Sequence, residues 1–349
     1  MLKELCELMG VSSQEEKVRD FIRQNVKDHA QEIIEDTYGN LIVRKGPVTK
    51  PKLMLAAHMD EVGFMVMSVE KNGLLKFKPI GIGVQTLLAK RVIIGKNRVP
   101  GVIGSKPVHL LQEDEAKKWP EIKNLFIDIG AATREEALKS VEIGDCGTFD
   151  TVYREDGDTM YGKAFDNRLG CYMLMELLRD HDLPGYYVFT VQEEMGLRGA
   201  RIAGFRVAPD VALAVDTTGS AEWPTDKDVP DSPIMGGGPV ITVSDLTIIC
   251  DRRLVELLMD TARVNGLDYQ VKKPGVGGTD AGPIHLVKTG VPTAVFSLPA
   301  RYIHSPLSMA SKKDLANGIL LLARAVEKIL TIPNINEISQ KGSEHERIS

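Results

Sequence analysis

Short apolar runs that break off on polar residues recur along this chain. In residues 186–200, YYVFTVQEEMGLRGA, aromatic and apolar positions run on into Thr190 and Val191 without helical spacing. That is the pattern of a strand buried on both faces. The run stops at Gln192 and two adjacent carboxylates, Glu193 and Glu194, before a turn punctuated by Gly196 and Gly199. A buried strand has no structural need for two acids at its carboxyl end, whereas ligands of open α/β sheets sit at that end. The pattern repeats. Residues 52–57 (KLMLAA) run into His58-Met59-Asp60-Glu61, residues 211–215 (VALAV) run into Asp216, and the strand over 292–298 leads within a few positions to His304.

Helical periods separate these runs. Ser13 and Glu16 predict a capping box, followed by Val18, Phe21, Ile22 and Val26 at helical spacing. Leu169, Met173, Leu174, Leu177 and Leu178 predict a helix over 167–181, residues 252–265 predict another, and Ser311 caps a closing helix over 314–330. A hairpin is expected from 32–37 and 41–44 about Tyr38-Gly39-Asn40. Between about 69 and 152 the texture changes to short β-like runs (LLKFKPI, RVIIG, VPGVIG, GDCGTFD) among Gly and Pro turns, with helices expected only at 114–126 and 135–141. That composition suits a small barrel or sandwich inserted into an α/β unit. The expected organisation is therefore a discontinuous unit over 1–68 and 153–335, a β-rich insert over 69–152, and a polar tail over 336–349.

Composition narrows the classes. The 349 residues carry 43 Lys and Arg against 48 Asp and Glu, a net charge of −5, and no basic patch that would suit a nucleic acid. The first residues, MLKELCELMG, hold no apolar run of signal-peptide length, and no later run reaches membrane-spanning length, so a cytoplasmic protein with no membrane partner is expected. Cys6, Cys146, Cys171 and Cys250 are scattered, which fits reduced, buried thiols.

The strand ends form a ligand inventory. His58, Glu194, Asp216, His304 and Asp166, just ahead of the helix over 167–181, make two imidazoles and three carboxylates. That set fits two divalent ions sharing a bridging carboxylate, and two imidazoles favour Zn²⁺, Co²⁺ or Mn²⁺ over Mg²⁺ or Ca²⁺. Asp60 can take the second N–H of His58, and Glu193 is left beside the ions as a general base. Each residue alone has an ordinary role: a satisfied histidine, a strand-end Asx turn at Asp216, a helix N-cap at Asp166. Their joint occurrence at several strand ends is what those roles leave unexplained.

The motifs AAHMDEVGF, GKAFDNRLG, TVQEEMGLRGA, AVDTT, GGTDAG and PARYIHSP resemble those of the tetrahedral (TET-type) dinuclear-metal aminopeptidases, a family that includes glutamyl aminopeptidases and members labelled endoglucanase. The resemblance spans nearly the whole chain. It implies a three-layer mixed-sheet exopeptidase domain with a PDZ-like barrel insert, and a hollow homododecamer with inward-facing sites. It also implies one metal on His58 and Glu194, another on Asp216 and His304, Asp166 bridging, Glu193 as base and Asp60 as the supporting acid. The implied reaction removes the first residue of short peptides. An N-acyl amino acid deacylase or amidase on the same centre is the alternative. A glycosidase using Glu193 and Glu194 fits poorly, because neighbouring strand residues face apart, and intact ligand positions argue against a non-catalytic assembly protein. Arg301 is expected either to recognise an acidic first residue or to serve structurally.

Overall fold

The structure is a computed structural model that describes residues 1–113, 117–220, 222, 233–275 and 277–332. Among these, eleven strands build one mixed sheet and six more close a barrel. The expected tail over 336–349 lies outside the described residues.

The centre of the sheet is parallel, as the unbroken apolar runs predict. Leu53–His58 pairs with Gly185–Thr190 on one side and Val211–Gly219 on the other, and Val211–Gly219 pairs in turn with Thr293–Arg301. Alternation along the first of these strands divides its side chains between two cores. Leu53, Leu55 and Ala57 pack with the helices Glu16–Val26, Phe165–Asp180, Arg252–Val264 and Lys312–Leu330, whereas Met54 and Ala56 pack with Arg198–Val207 and Ala281–His285. Helices therefore cover both faces, giving three layers. The hairpin forms as expected, from Glu32–Glu35 and Leu41–Lys45.

The insert is a closed barrel in the order Gly63–Val69, Leu75–Ile80, Phe126–Asp128, Val99–Gly104, Arg91–Ile94 and Cys146–Phe149. Its first strand lies ahead of the expected boundary at residue 69. Phe64 and Phe77 meet edge to face in its core. The helix expected over 114–126 does not form across its described part: Ile122–Asn124 is a single tight turn and Phe126 opens a strand. Pro120 supplies the reason, since it removes a donor and disfavours the helical conformation of Trp119. The second insert helix is shortened to Arg134–Ala137, capped by Thr133.

The capping box is also absent. Ser13 has φ 75°, and the helix begins at Glu16 without a side-chain cap. The polar residues ahead of it are instead drawn to the sheet: the Ser12 hydroxyl donates to Asp60 Oδ2 at 2.6 Å, and Glu15 accepts from the Gln192 amide at 3.1 Å. Ser311 does cap the last helix, accepting from the Asp314 amide. All four cysteines are free and buried.

Candidate active site

Register brings the site together. Thr190 stands beside His58 and Ala214 beside Ala56, so extending the second pairing by two residues sets Asp216 next to His58. The distance from His58 Nε2 to Asp216 Oδ1 is 3.6 Å. The strand Gly185–Thr190 ends before the two acids, so Glu193 and Glu194 lie in the loop that follows, with Gln192 at φ 55° and Leu197 at φ 60°. Strand alternation therefore does not decide where they point. Asp60 does: its carboxylate accepts from the amides of Glu193 and Glu194 at 3.0 and 3.1 Å, as well as from Ser12.

Asp166 reaches the centre because the first turn of its helix is not helical. Asp166 and Asn167 have φ/ψ of −83°/104° and −124°/45°. Asn167 takes the capping role, accepting from the Gly170 amide at 3.1 Å while donating to the Val215 carbonyl at 2.8 Å. Only glycine fits at 170, where a Cβ would stand 2.3 Å from Asn167 Oδ1 and 2.7 Å from the Val215 carbonyl oxygen. The Asp166 carboxylate is thus free of capping duty and lies between two imidazoles, 3.1 Å from His58 Nε2 and 3.3 Å from His304 Nε2. Ala164, Tyr302 and His304 all hold positive φ, a conformation that costs non-glycine residues of order 1 kcal/mol or more and gathers at functional sites.

Two ligand triads result. The ligand atoms of His58, Glu193 and Asp216 lie within 4.8 Å of one another, as do those of Asp166, Glu194 and His304. This grouping differs from the pairing implied by the resemblance: Glu194 lies 3.6 Å from His304, and Asp216 lies 3.6 Å from His58. The second ring nitrogen of His58 also differs from expectation, because its nearest acceptor is the Asp60 main-chain carbonyl at 3.1 Å and the carboxylate stands at 3.5 Å.

Crowding of buried acids sets the electrostatics. Burial pushes Glu193 well above its ordinary value against the pull of His58, with Asp216, Asp280 and Glu194 adding to the rise. Burial, helped by Asp166, takes Glu194 to about 8. Asp166 goes the other way: hydrogen bonds from His304 and His58 overcome its burial and hold it below the usual carboxylate range. The hydrogen bond to Asp166 raises His304 to about 9. Glu194 Oε1 is buried with no hydrogen-bond partner, a costly arrangement for a carboxylate oxygen unless a cation faces it. The donor set and this orphaned oxygen both fit divalent ions. The expectation of one base and five ligands did not include Asp280, which is buried, accepts from Thr190 and keeps Oδ1 unpartnered. It was visible only as part of the GGTDAG motif.

A cavity of about 870 Å³ opens over the two triads. Arg301 does not line it; its guanidinium is paired with Glu222 at 2.9 and 2.7 Å. No described helix is long and apolar enough to cross a membrane.

Comparison with known proteins is consistent across sequence and structure. The family described as M42 glutamyl aminopeptidase matches residues 39–321. A lysyl aminopeptidase of Pyrococcus furiosus is 36% identical over 347 residues, covering 94% of this chain and 96% of its own. The crystal structure of a TET aminopeptidase from a marine sediment thaumarchaeon superimposes with a TM-score of 0.89 at 35% identity, covering 94% of this chain and 97% of its own. A Pyrococcus horikoshii TET1 peptidase, described as assembling into a tetrahedron or a large octahedral shell, matches at 31% identity and TM-score 0.84, over 93% and 98% of the two chains.

Proposed function

The chain belongs to the M42 glutamyl aminopeptidase family and is a peptide hydrolase, and from that premise we propose that it removes the amino-terminal residue of short peptides at a centre of two divalent ions, with Glu193 as general base. The observation that carries this reading is the gathering of ligand-type side chains into two groups, one holding His58 and Asp216 and the other His304 and Glu194, with Asp166 within reach of both imidazoles. His58 and Asp216 would hold one ion and His304 and Glu194 the other, and Asp166, 3.1 and 3.3 Å from the two imidazoles, would serve both. The imidazoles favour Zn²⁺ or Co²⁺. Two ions held there supply Lewis-acid polarisation of the scissile carbonyl and acidify the attacking water.

The remaining work belongs to the protein. The Glu193 carboxylate, raised by burial and fixed through its amide to Asp60, takes the proton of the attacking water and returns it to the departing amine. The carboxylates around the ions give the free α-amine of the substrate an anionic seat, which restricts cleavage to the chain end. The cavity of about 870 Å³ suits a short peptide. We extend to this chain the homo-oligomeric assembly described for the Pyrococcus horikoshii relative, with the barrel as its assembly module and the parts before and after it as the catalytic unit.

Aminoacyl anilides with a free amine, and their N-acetylated counterparts, test the reading. Hydrolysis of the free-amine series alone, lost on chelation and restored by Zn²⁺ or Co²⁺, is expected. Full activity after exhaustive chelation, or preference for the acetylated series, contradicts it.

A further inference from the structure

Beyond the end of the strand Gly185–Thr190, four consecutive main-chain amides donate to side chains from distant parts of the chain. Val191 donates to Asn40 Oδ1 at 3.0 Å and Gln192 to Glu15 Oε1 at 3.1 Å, while Glu193 and Glu194 donate to the two oxygens of Asp60 at 3.0 and 3.1 Å. Two of the three holders are themselves fixed. Asn40 donates to Asp36 at 2.7 Å and to the Gly199 carbonyl at 3.1 Å, and Asp60 takes the Ser12 hydroxyl at 2.6 Å.

Glu15 is the third holder, and neither the fold nor the reaction has yet given it a task. It stands at the N-cap of the helix Glu16–Val26 without capping it. Its Oε1 instead accepts from the Ser13 amide at 2.9 Å as well as from Gln192, and both residues hold left-handed backbones, with φ of 75° and 55°. Non-glycine residues keep such conformations only where their surroundings impose them. Glu15 is 3% exposed, so water competes little for its two donors. Gln192 directly precedes Glu193. If its backbone relaxed to an ordinary conformation, the peptide that follows would turn and carry the Glu193 side chain with it.

We propose that Glu15 is a positioning residue for the base. By accepting from the Gln192 amide it keeps the left-handed turn that aims the Glu193 carboxylate at the reacting centre. The inference rests on the reading of Glu193 as general base. Asp60 holds Glu193 by its amide alone, so the residue before it must also be fixed for the side chain to keep one direction. The ions should not depend on Glu15, because His58, Asp166, Asp216 and His304 lie on other segments and the Glu194 amide stays on Asp60.

The test compares Glu15→Leu, Glu15→Asp and Glu15→Gln in the metal-replenished enzyme on an aminoacyl anilide. Leucine removes the acceptor and aspartate withdraws it by one methylene. Both should lower kcat about tenfold to a hundredfold, with KM within about threefold and two metal equivalents retained. Glutamine keeps an acceptor oxygen in the same place, so its kcat should stand at least fivefold above that of Glu15→Leu. In the same samples, amide hydrogen exchange over residues 191–197 should be faster in Glu15→Leu than in Glu15→Gln. Should Glu15→Leu not fold, Gln192→Val and Gln192→Asn decide the matter from the other side of the bond. Both shorten the side chain, but only asparagine tolerates a left-handed backbone, so kcat should be at least fivefold lower for valine. Unchanged kcat in Glu15→Leu with a lowered melting midpoint overturns the assignment, by leaving Glu15 a purely structural part. Metal lost in proportion to activity, Glu15→Gln no better than Glu15→Leu, or exchange that does not differ between those two also overturns it. These outcomes leave the reading of Glu193 intact. Normal turnover by Glu193→Gln overturns that reading, and this inference with it.

Discussion

Gly81 of the barrel lies against Glu194 of the catalytic unit: a Cβ added at Gly81 would stand 2.5 Å from Glu194 Oε2. Gly81 has φ 66°, and its main chain also takes a hydrogen bond from His304. The barrel therefore touches both ligands that Asp166 joins in the second triad. Gly81→Ala must strain the backbone, by about 1–2 kcal/mol, and displace Glu194. One of the two bound-metal equivalents should weaken, and kcat/KM should fall at least tenfold. Metal analysis after dialysis, beside the kinetics, checks this; two tightly held equivalents would contradict it.

A buried ion pair also reaches the barrel, through a hydrogen bond from Thr148 to Glu61. Lys163 Nζ lies 2.8 Å from both oxygens of Glu61, which also accept from the Gly10 amide and from Thr148 of the barrel. Arg168, fully buried, adds its guanidinium at 3.7 Å and donates to the Met59 carbonyl beside His58. Removing one partner of such a pair leaves a charge stranded in the interior. Lys163→Met should cost about 3–5 kcal/mol, read as a lowered denaturant midpoint at constant slope. A loss below about 1 kcal/mol would show that the pair is dispensable.

The ligand types were legible in the sequence because parallel strands deliver their carboxyl ends to one edge: His58 and Asp216 are brought together by register alone. The pairing was not legible. Glu193 and Glu194 lie past the end of their strand, in a loop whose direction depends on hydrogen bonds to Asp60 across a separation of more than a hundred residues. Ser13 and Glu16 carried a local capping signal, but tertiary partners claimed the polar residues around them, Ser12 for Asp60 and Glu15 for Gln192. Asp166 stands where an N-cap is expected, but Asn167 takes that role.

Binding of ions should be visible in stability as well as activity. Burial pushes Glu194 to about 8 and Asp280 to about 7, so the centre is a crowd of acids that are costly to ionise together. A ligand that binds only the folded chain stabilises it by about 2.7 kcal/mol at a hundred times its Kd. Chelated protein should therefore melt several degrees lower than protein with Zn²⁺ or Co²⁺ restored, with a dependence on ion concentration. Identical melting curves in the two states would contradict a structural hold on the ions.

On the proposed reading Glu193 carries the proton while its neighbours hold the metals. Glu193→Gln keeps the shape and removes the base, so bound metal and turnover should be measured on the same sample. Two equivalents of metal with kcat lowered by roughly 10²–10⁴ is the predicted result. Normal turnover, or loss of metal in proportion to the loss of activity, would contradict the account.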